Sequence, residues 1–296
     1  MPDNIGSPPT LALDAFVRAV GVNRGVPHAL FLGAGASISS GIPSASRCIW
    51  NWKRDIFLTN NPGIEEQFRE LSLRSVQERI QRWLDQQQKF PKEDAADEYE
   101  FYAHLCYPIG DDRRQFFENL ASGKKPHIGY QLLVLLAEAG LLRSVWTTNF
   151  DGLAGKAAAA SNIVPIEIGL GSSQRAFRQP RNGELLCISL HGDYRYDSLK
   201  NTTEELRSQD ASLLAAFAET AYDTNVVVVG YSGRDASVLD AFHQAYSKRG
   251  TGRLYWCGFE ETAPSPTIQE LIDAARHTGG REAHYVSSLG FDDLIA

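Results

Sequence analysis

The chain is predicted to fold as an α/β protein, a doubly wound and mostly parallel Rossmann-like sheet with a helical insertion forming a smaller module. Three observations predict it. Short, continuously apolar runs such as HALFLG (28–33), NVVVVGYS (225–232) and RLYWCGF (253–259) read as strands buried on both faces, as happens when helices cover both sides of a parallel sheet. Longer helical stretches separate these runs, and strand–helix alternation builds a parallel sheet through crossover connections. The size also fits: 296 residues, 43% hydrophobic and 22% charged, make one large domain or two.

In chain order, a helix over 11–20 (LALDAFVRAV) precedes the strand at 28–33. The stretch 44–125 breaks the alternation. It is rich in Trp, Gln, Arg and Glu, and its helical spacing over 64–88 marks a helical insertion beside the sheet. Its acidic run KEDAADEYE (92–100) reads as a solvated connector or a helix start. A helix over 130–142 and strands at 141–149 and 184–192 follow. After them come a helix over 211–222, the strand 225–232, a helix over 236–247, and strands at 253–259 and 283–287. The whole of 1–296 is read as one domain, with 44–125 inserted in it.

Composition excludes several classes of function. With 29 basic and 36 acidic residues the formal net charge is -7, against the basic excess of a free-standing nucleic-acid binder. No apolar run reaches the ~18–20 residues that span a bilayer. The start, MPDNIGSPPT, lacks the basic and apolar blocks of a secretory signal, so a cytoplasmic location is expected. Cys48, Cys106, Cys187 and Cys257 form no CxxC pair. Neither a disulfide framework nor a four-cysteine zinc site is expected, and no other metal site is predicted.

The most informative segment is ALFLGAGASISSGIPSASR (29–47). An apolar strand runs into Gly33-Ala34-Gly35-Ala36-Ser37, where glycines permit a tight turn and let backbone N–H groups approach a pyrophosphate at a helix N-terminus. The ordinary alternative is a glycine turn that serves only strand-to-helix packing. Ile38 stands where a third glycine of GxGxxG belongs, and no strand ending in an acidic residue follows ~20 positions later. A hydride-transfer enzyme is therefore disfavoured. The chain continues instead to Gly41-Ile42-Pro43, a turn expected to redirect it over a bound nucleotide.

Ligands of doubly wound sheets bind beyond the carboxyl ends of the strands. Those ends here carry Thr147-Thr148-Asn149-Phe150-Asp151, His191-Gly192-Asp193 and Gly230-Tyr231-Ser232-Gly233-Arg234-Asp235. Each has an ordinary alternative. Asn149, Asp151, Ser232 and Asp235 are all suited to capping a following helix, and a lone histidine is more often structural than catalytic. Their joint occurrence at strand ends points to a site.

In this order, GAGAS–GIP, TTNFD, the strand-end HG and GYSGRD resemble sirtuin-type NAD-binding domains, across most of the chain from Ala29 to Glu260. The resemblance is closest to the bacterial sirtuin-like domains of anti-phage defence, which hydrolyse NAD without a zinc module. It implies that Gly33, Ala34, Gly35 and Ser37 hold the pyrophosphate and that Ile42, Thr148 and Tyr231 line the NAD pocket. It places Gly230 and Ser232 near the adenosine ribose and phosphate, and Glu260 at that ribose. Asp151 would face the nicotinamide carboxamide, Asn149 the ribose or a water, and His191 matches the catalytic histidine.

The departures bear on the reaction. The Phe-Arg pair that deacylating sirtuins carry after Gly-Ile-Pro is replaced here by Ser44-Ala45-Ser46-Arg47, and their glutamine in the TxNxD motif is Thr148. Their two CxxC pairs are missing, as if the helical insertion replaced the zinc ribbon. The resemblance therefore implies an NAD hydrolase that depletes the cofactor as a gated defence effector. NAD would be its substrate, with no metal. An Argonaute-like or ATPase partner or further domain would gate it, oligomerisation would accompany activation, and nucleic acid would be recognised elsewhere than on this domain. An NAD-dependent protein deacylase and a non-catalytic NAD or ADP-ribose sensor remain as alternatives.

Overall fold

The structure is a computed structural model that describes residues 10–95, 97–191, 211–260 and 262–296. Its strands are β1 (Thr10–Leu11), β2 (His28–Leu32), β3 (Leu142–Thr147), β4 (Val164–Ile168), β5 (Glu184–Ser189), β6 (Asn225–Val229), β7 (Leu254–Phe259) and β8 (Ala283–Ser288). They form one eight-stranded sheet in the order β1-β8-β7-β6-β2-β3-β5-β4, and every pairing is parallel. From β2 the chain adds β3, passes to the edge strand β4, returns to β5 between them, and then crosses back to β6 on the other side of β2. That reversal beside β2 is the topological switch point at which such sheets bind ligands.

Burial on both faces accounts for the continuously apolar strands. In β2, Ala29 and Phe31 join one apolar cluster with Trp146, Ile188, Phe217, Val228 and Trp256. Leu30 and Leu32 point the other way, to Tyr130, Val145, Leu185, Val227 and Tyr255. All five residues of β2 and of β6 are buried, and each such apolar side chain stabilises the fold by about 1.5–3 kcal/mol. The faces are covered by α1 (Leu13–Val22), α6 (Ile128–Glu138), α7 (Leu153–Ala159), α8 (Ala211–Asp223), α9 (Ala236–Tyr246), α10 (Pro266–His277) and α11 (Phe291–Ile295).

Some elements differ from the sequence expectation. The helix expected over 130–142 ends at Glu138, because Gly140 takes a left-handed turn (φ 73°) and Leu142 already opens β3. The strands expected to reach Asn149, Gly192 and Ser232 stop at Thr147, Ser189 and Val229, so the polar residues after them sit in turns. β1 was not expected, the helix read over 11–20 beginning instead at Leu13; nor was β4. It is an edge strand whose Val164 is 56% exposed, and its Pro165 is tolerated because an edge strand lacks a ladder partner on one side.

Between Ser44 and Lys125 lie α2 (Ala45–Asn60), α3 (Arg74–Gln86), α4 (Glu98–Cys106) and α5 (Gly110–Ala121). The helical spacing over 64–88 resolves into a 3-10 turn over Glu65–Phe68 and then α3. A third apolar cluster, with Trp52, Phe57, Phe68, Ile80, Leu84 and Tyr102, joins these helices. The acidic run over 92–100 is not solvated throughout. Glu98 is buried and ion-paired with Lys53. The same ammonium donates to Gln81 Oε1 at 2.7 Å and lies 4.4 Å above the Trp50 ring. Among the described residues no helix is long and apolar enough to cross a membrane.

Candidate functional site

Four turns converge at the carboxyl ends of β2, β3, β5 and β6. The turn after β2 enters a 3-10 turn over Ala34–Ser37, and α2 begins only at Ala45. The expected α-helix N-terminus is therefore replaced by a shorter, tighter turn. Gly33 N–H donates to Val229 O at 3.1 Å and Gly35 N–H to Gly230 O at 2.9 Å. Gly230 has φ +67°, and a Cβ there would run into the Ala36 backbone nitrogen; one on Gly33 would strike the Gly230 carbonyl. These glycines let two turns interlock, which is the packing role that the sequence left open. The same interlock leaves a wall of bare backbone at Gly35 and Gly230.

The turn after β3 is fastened to the first. Thr147 Oγ1 donates to Leu32 O at 2.9 Å and accepts from Asn149 N at 2.9 Å. The Asn149 side-chain Nδ2 donates to Gly33 O at 2.9 Å and to Ser37 Oγ at 3.1 Å. A carbonyl only accepts, so this fixes which end of the amide carries the protons and leaves Oδ1 to the cavity. Ser37 is fully buried, and its hydroxyl donates to Asp151 Oδ2 at 2.6 Å. Its single proton is thereby used, so in the 2.9 Å contact with Tyr130 Oη the tyrosine is the donor. Burial, and then the Asp151 charge, push the Tyr130 hydroxyl well above its ordinary range, which keeps it protonated. Asp151 Oδ1 accepts from Leu153 N at 2.9 Å, so this residue also fastens the start of α7, whose N-cap is Gly152.

The turns after β5 and β6 bring in the imidazole and a second carboxylate. Leu190 N–H donates to Thr147 O at 2.9 Å. His191, 8% exposed, sets its Nε2 2.7 Å from Asp235 Oδ2. That is an ion-pair distance, although the ring N–H is not aimed for a straight hydrogen bond. Asp235 caps α9, its Oδ1 accepting from Ser237 N at 3.0 Å and Val238 N at 3.4 Å. Burial acts to raise the Asp235 carboxyl, but the nearby His191 imidazole and the bonds from Ser237 and Val238 outweigh it and hold the group below the usual carboxylate range.

These turns open on a cavity of about 440 Å³, inside the ~300–1,000 Å³ typical of ligand sites. Of the residues singled out from the sequence, Ala34, Gly35, Ser37, Ile42, Thr148, Asn149, Asp151, His191, Gly230, Tyr231 and Ser232 line it. Gly33 lies behind the lining, in the interlocked turns. Glu260 is exposed beyond β7 and does not line the cavity. Gly192 and Asp193 lie outside the described residues. The Tyr231 ring packs against Phe31 and Trp256, at centroid distances of 5.1 and 5.9 Å. His127 pairs with Asp292 at 2.5 Å and is not part of the lining.

Sequence reasoning missed two parts of the site. Asp235 was legible only as a possible cap, since nothing linear connects it to His191. The insertion supplies an outer wall through Cys48, Ile49, Tyr99, Phe117 and Leu120, with the Phe117 ring 4.8 Å from that of Phe150. Helical periodicity marks the apolar face of a helix but not what it covers. A second cavity of about 440 Å³, lined by Tyr130, Thr147, Glu167 and Ser189 among others, also borders Asp151 and so leaves this carboxylate as a partition.

The assembled groups are a carboxylate held among donors, an amide presenting its oxygen, and an imidazole backed by a second carboxylate, beside a backbone-only wall. Such a set suits an elongated polar ligand with a reacting centre near His191. Residues 143–279, a little under half of the chain, match the family model of the SIR2-like domain; no curated protein sequence matches the chain. The matched stretch takes in the Asn149–Asp151 turn, His191 and the Gly230–Asp235 turn, so three of the four turns around the cavity belong to the part of the chain that is similar to SIR2-like domains.

Proposed function

We propose that this protein hydrolyses NAD at the nicotinamide–ribose bond to give nicotinamide and ADP-ribose, and that it does so as a gated effector of anti-phage defence. The observation that carries the reading is the gathering of Asn149, Asp151 and His191 around one cavity with the glycine turns of β2 and β6. The similarity of residues 143–279 to SIR2-like domains, which use NAD, supports it.

NAD supplies a leaving group that departs as a neutral pyridine, so the barrier lies in the positive charge that develops on the ribose, as in glycoside hydrolysis. Asp151, acceptor-only when ionised and bordering the cavity, is suited to receive a carboxamide N–H. Asn149 offers its amide oxygen to a ribose hydroxyl or a water. His191 acts as the base toward that water, a role typically worth ~10²–10⁴-fold. Placing these groups before the reaction begins lowers the barrier further. Water rather than an acyl-lysine peptide is favoured as the acceptor because side chains of α2, α4 and α5 wall the outer side of the cavity.

An unregulated hydrolase of this kind would drain its own cell of NAD. Gating by an Argonaute-like or ATPase partner or further domain, with oligomerisation on activation, belongs to the same reading, as does a cytoplasmic site of action. The chain 1–296 would act as one domain, with 44–125 as an insertion that shapes the cavity.

The test is to incubate the purified chain with NAD, alone and with lysate of infected cells, and to separate the products. Free ADP-ribose with nicotinamide is expected, and His191→Ala and Asn149→Ala should each lower the rate by ~10²-fold or more while the chain stays folded. Acyl-ADP-ribose formed from acylated peptide would reassign the protein as a deacylase. Tight NAD binding without turnover in every condition would make it a sensor.

A further inference from the structure

We propose that Asp235 is a positioning residue for His191: the carboxylate holds the ring by Nε2 and so makes Nδ1 the nitrogen that works on the substrate. This rests on the hydrolase reading and extends it by naming the acting atom and its partner. The two residues come from different turns, 44 positions apart in sequence, and meet at 2.7 Å. Both are largely shielded, with side-chain exposures of 10% and 13%. Burial makes an ion pair costly unless each charge is satisfied. Here the Asp235 carboxylate is satisfied independently, since Ser237 N, Ser237 Oγ and Val238 N all donate to its Oδ1, while Oδ2 faces the imidazole. A cap that also reaches a second side chain ties the ring to the rigid start of α9.

The consequence is chemical. A neutral imidazole carries one proton, and a carboxylate beside one nitrogen draws the proton there. With Nε2 turned to Asp235, the lone pair of Nδ1 is the one left to the cavity that His191 lines. Among the described residues, Asp151, Glu100, Arg234 and Asp235 are the other charged side chains on that cavity. Asp151 is already engaged by Ser37 and Leu153, and among the described residues Asp235 is the carboxylate within bonding distance of the ring.

In the reaction, Nδ1 takes a proton from water as the water oxygen bonds to the ribose carbon. The carbon–nitrogen bond to the pyridine breaks at the same centre, and its electron pair leaves with neutral nicotinamide. The positive charge thus passes from the pyridinium to His191, where the Asp235 carboxylate offsets it. His191 then gives the proton to solvent, and each turnover releases one proton.

Asp235→Asn separates this role from capping, because asparagine caps a helix as well as aspartate does but carries no charge. The full chain labelled with ¹⁵N-histidine reports the tautomer directly by long-range ¹H–¹⁵N correlation, at a pH where the ring is neutral; the His191 signal is the one lost in His191→Gln. Wild-type protein is expected to carry the proton on Nε2, and Asp235→Asn to lose that preference. In the same variant kcat should fall by about 10²–10⁴-fold, the span of general-base catalysis and of a lost orienting carboxylate, with KM for NAD and the melting temperature unchanged. A wild-type ring protonated on Nδ1 overturns the proposal, and so does an Asp235→Asn variant that keeps either the wild-type tautomer or the wild-type kcat. If the wild-type chain releases no nicotinamide, the hydrolase reading falls, and the tautomer measurement alone decides the pairing.

Discussion

Ser37 shows how a single side chain changes meaning between sequence and structure. By family resemblance its hydroxyl should reach a phosphate, yet it is fully buried and joined to Asp151, Asn149 and Tyr130. It is the node through which the turn after β2 holds the turn after β3. Replacing it by alanine removes a donor and an acceptor at once and leaves buried partners unsatisfied, at a cost of about 1–3 kcal/mol. For a chain of this size each kcal/mol lowers the melting temperature by roughly 2–4 °C. We therefore expect Ser37→Ala to lower the melting temperature by several degrees and to weaken NAD binding only as a consequence. Calorimetric titration with NAD beside thermal unfolding checks this. A large loss of affinity at unchanged stability would restore Ser37 as a direct phosphate ligand.

Among the elements, the inner strands and the helical character of 44–125 were legible, while the edge strands and the contacts within the insertion were not, for physical reasons. β2, β6 and β7 are buried on both faces, so their sequences are apolar throughout and are bounded by the turns that follow. β4 escaped notice because it is an edge strand with an exposed valine and a proline. The turns that form the rim were legible because polar residues directly follow apolar strands; their partners across the cavity were not, since His191 and Asp235 meet only when β5 and β6 pass either side of β2. Glu98 was half legible: α4 does start at this acidic residue, but nothing local reveals that Lys53 lies beneath it. That pair, with Gln81, ties α2, α3 and α4 together from one buried ammonium. Lys53→Met should leave Glu98 buried and unpaired, a loss of about 3–5 kcal/mol. Adding Glu98→Gln removes the charge yet keeps an acceptor for Asp94 N, and should recover most of that loss. Urea unfolding of the four proteins forms the cycle, and additive effects would show that the pair does not hold the module.

At the scale of the whole molecule, two apolar clusters flank the sheet, the third lies within the insertion, and the cavity sits where they meet. Among the described residues, the insertion touches the sheet side of the cavity through the Phe117–Phe150 ring contact and the Arg234–Asp94 ion pair at 3.1 Å. Both partners of that ion pair are more than half exposed, and such pairs contribute about 0–1 kcal/mol. A module with its own core and so light a tie should open as a unit, at a lower free energy than the strands at the centre of the sheet. Hydrogen exchange should then show α2 to α5 exchanging together and faster than β2 and β6. A ligand that fills the cavity touches both bodies, so it must be released before the insertion can swing away. Saturating NAD under non-hydrolysing conditions, with the His191→Ala protein, should therefore slow exchange across α2, α4 and α5. The gain is set by RT ln(1 + [L]/Kd), about 2.7 kcal/mol at a hundredfold excess over Kd, while β2 and β6 change by no more than the global stabilisation. Phe117→Ala should speed opening without NAD and narrow the difference that NAD makes. If the insertion and the sheet instead exchange at one common free energy, with and without NAD, the protein unfolds as a single body and the cavity is not the seam between two.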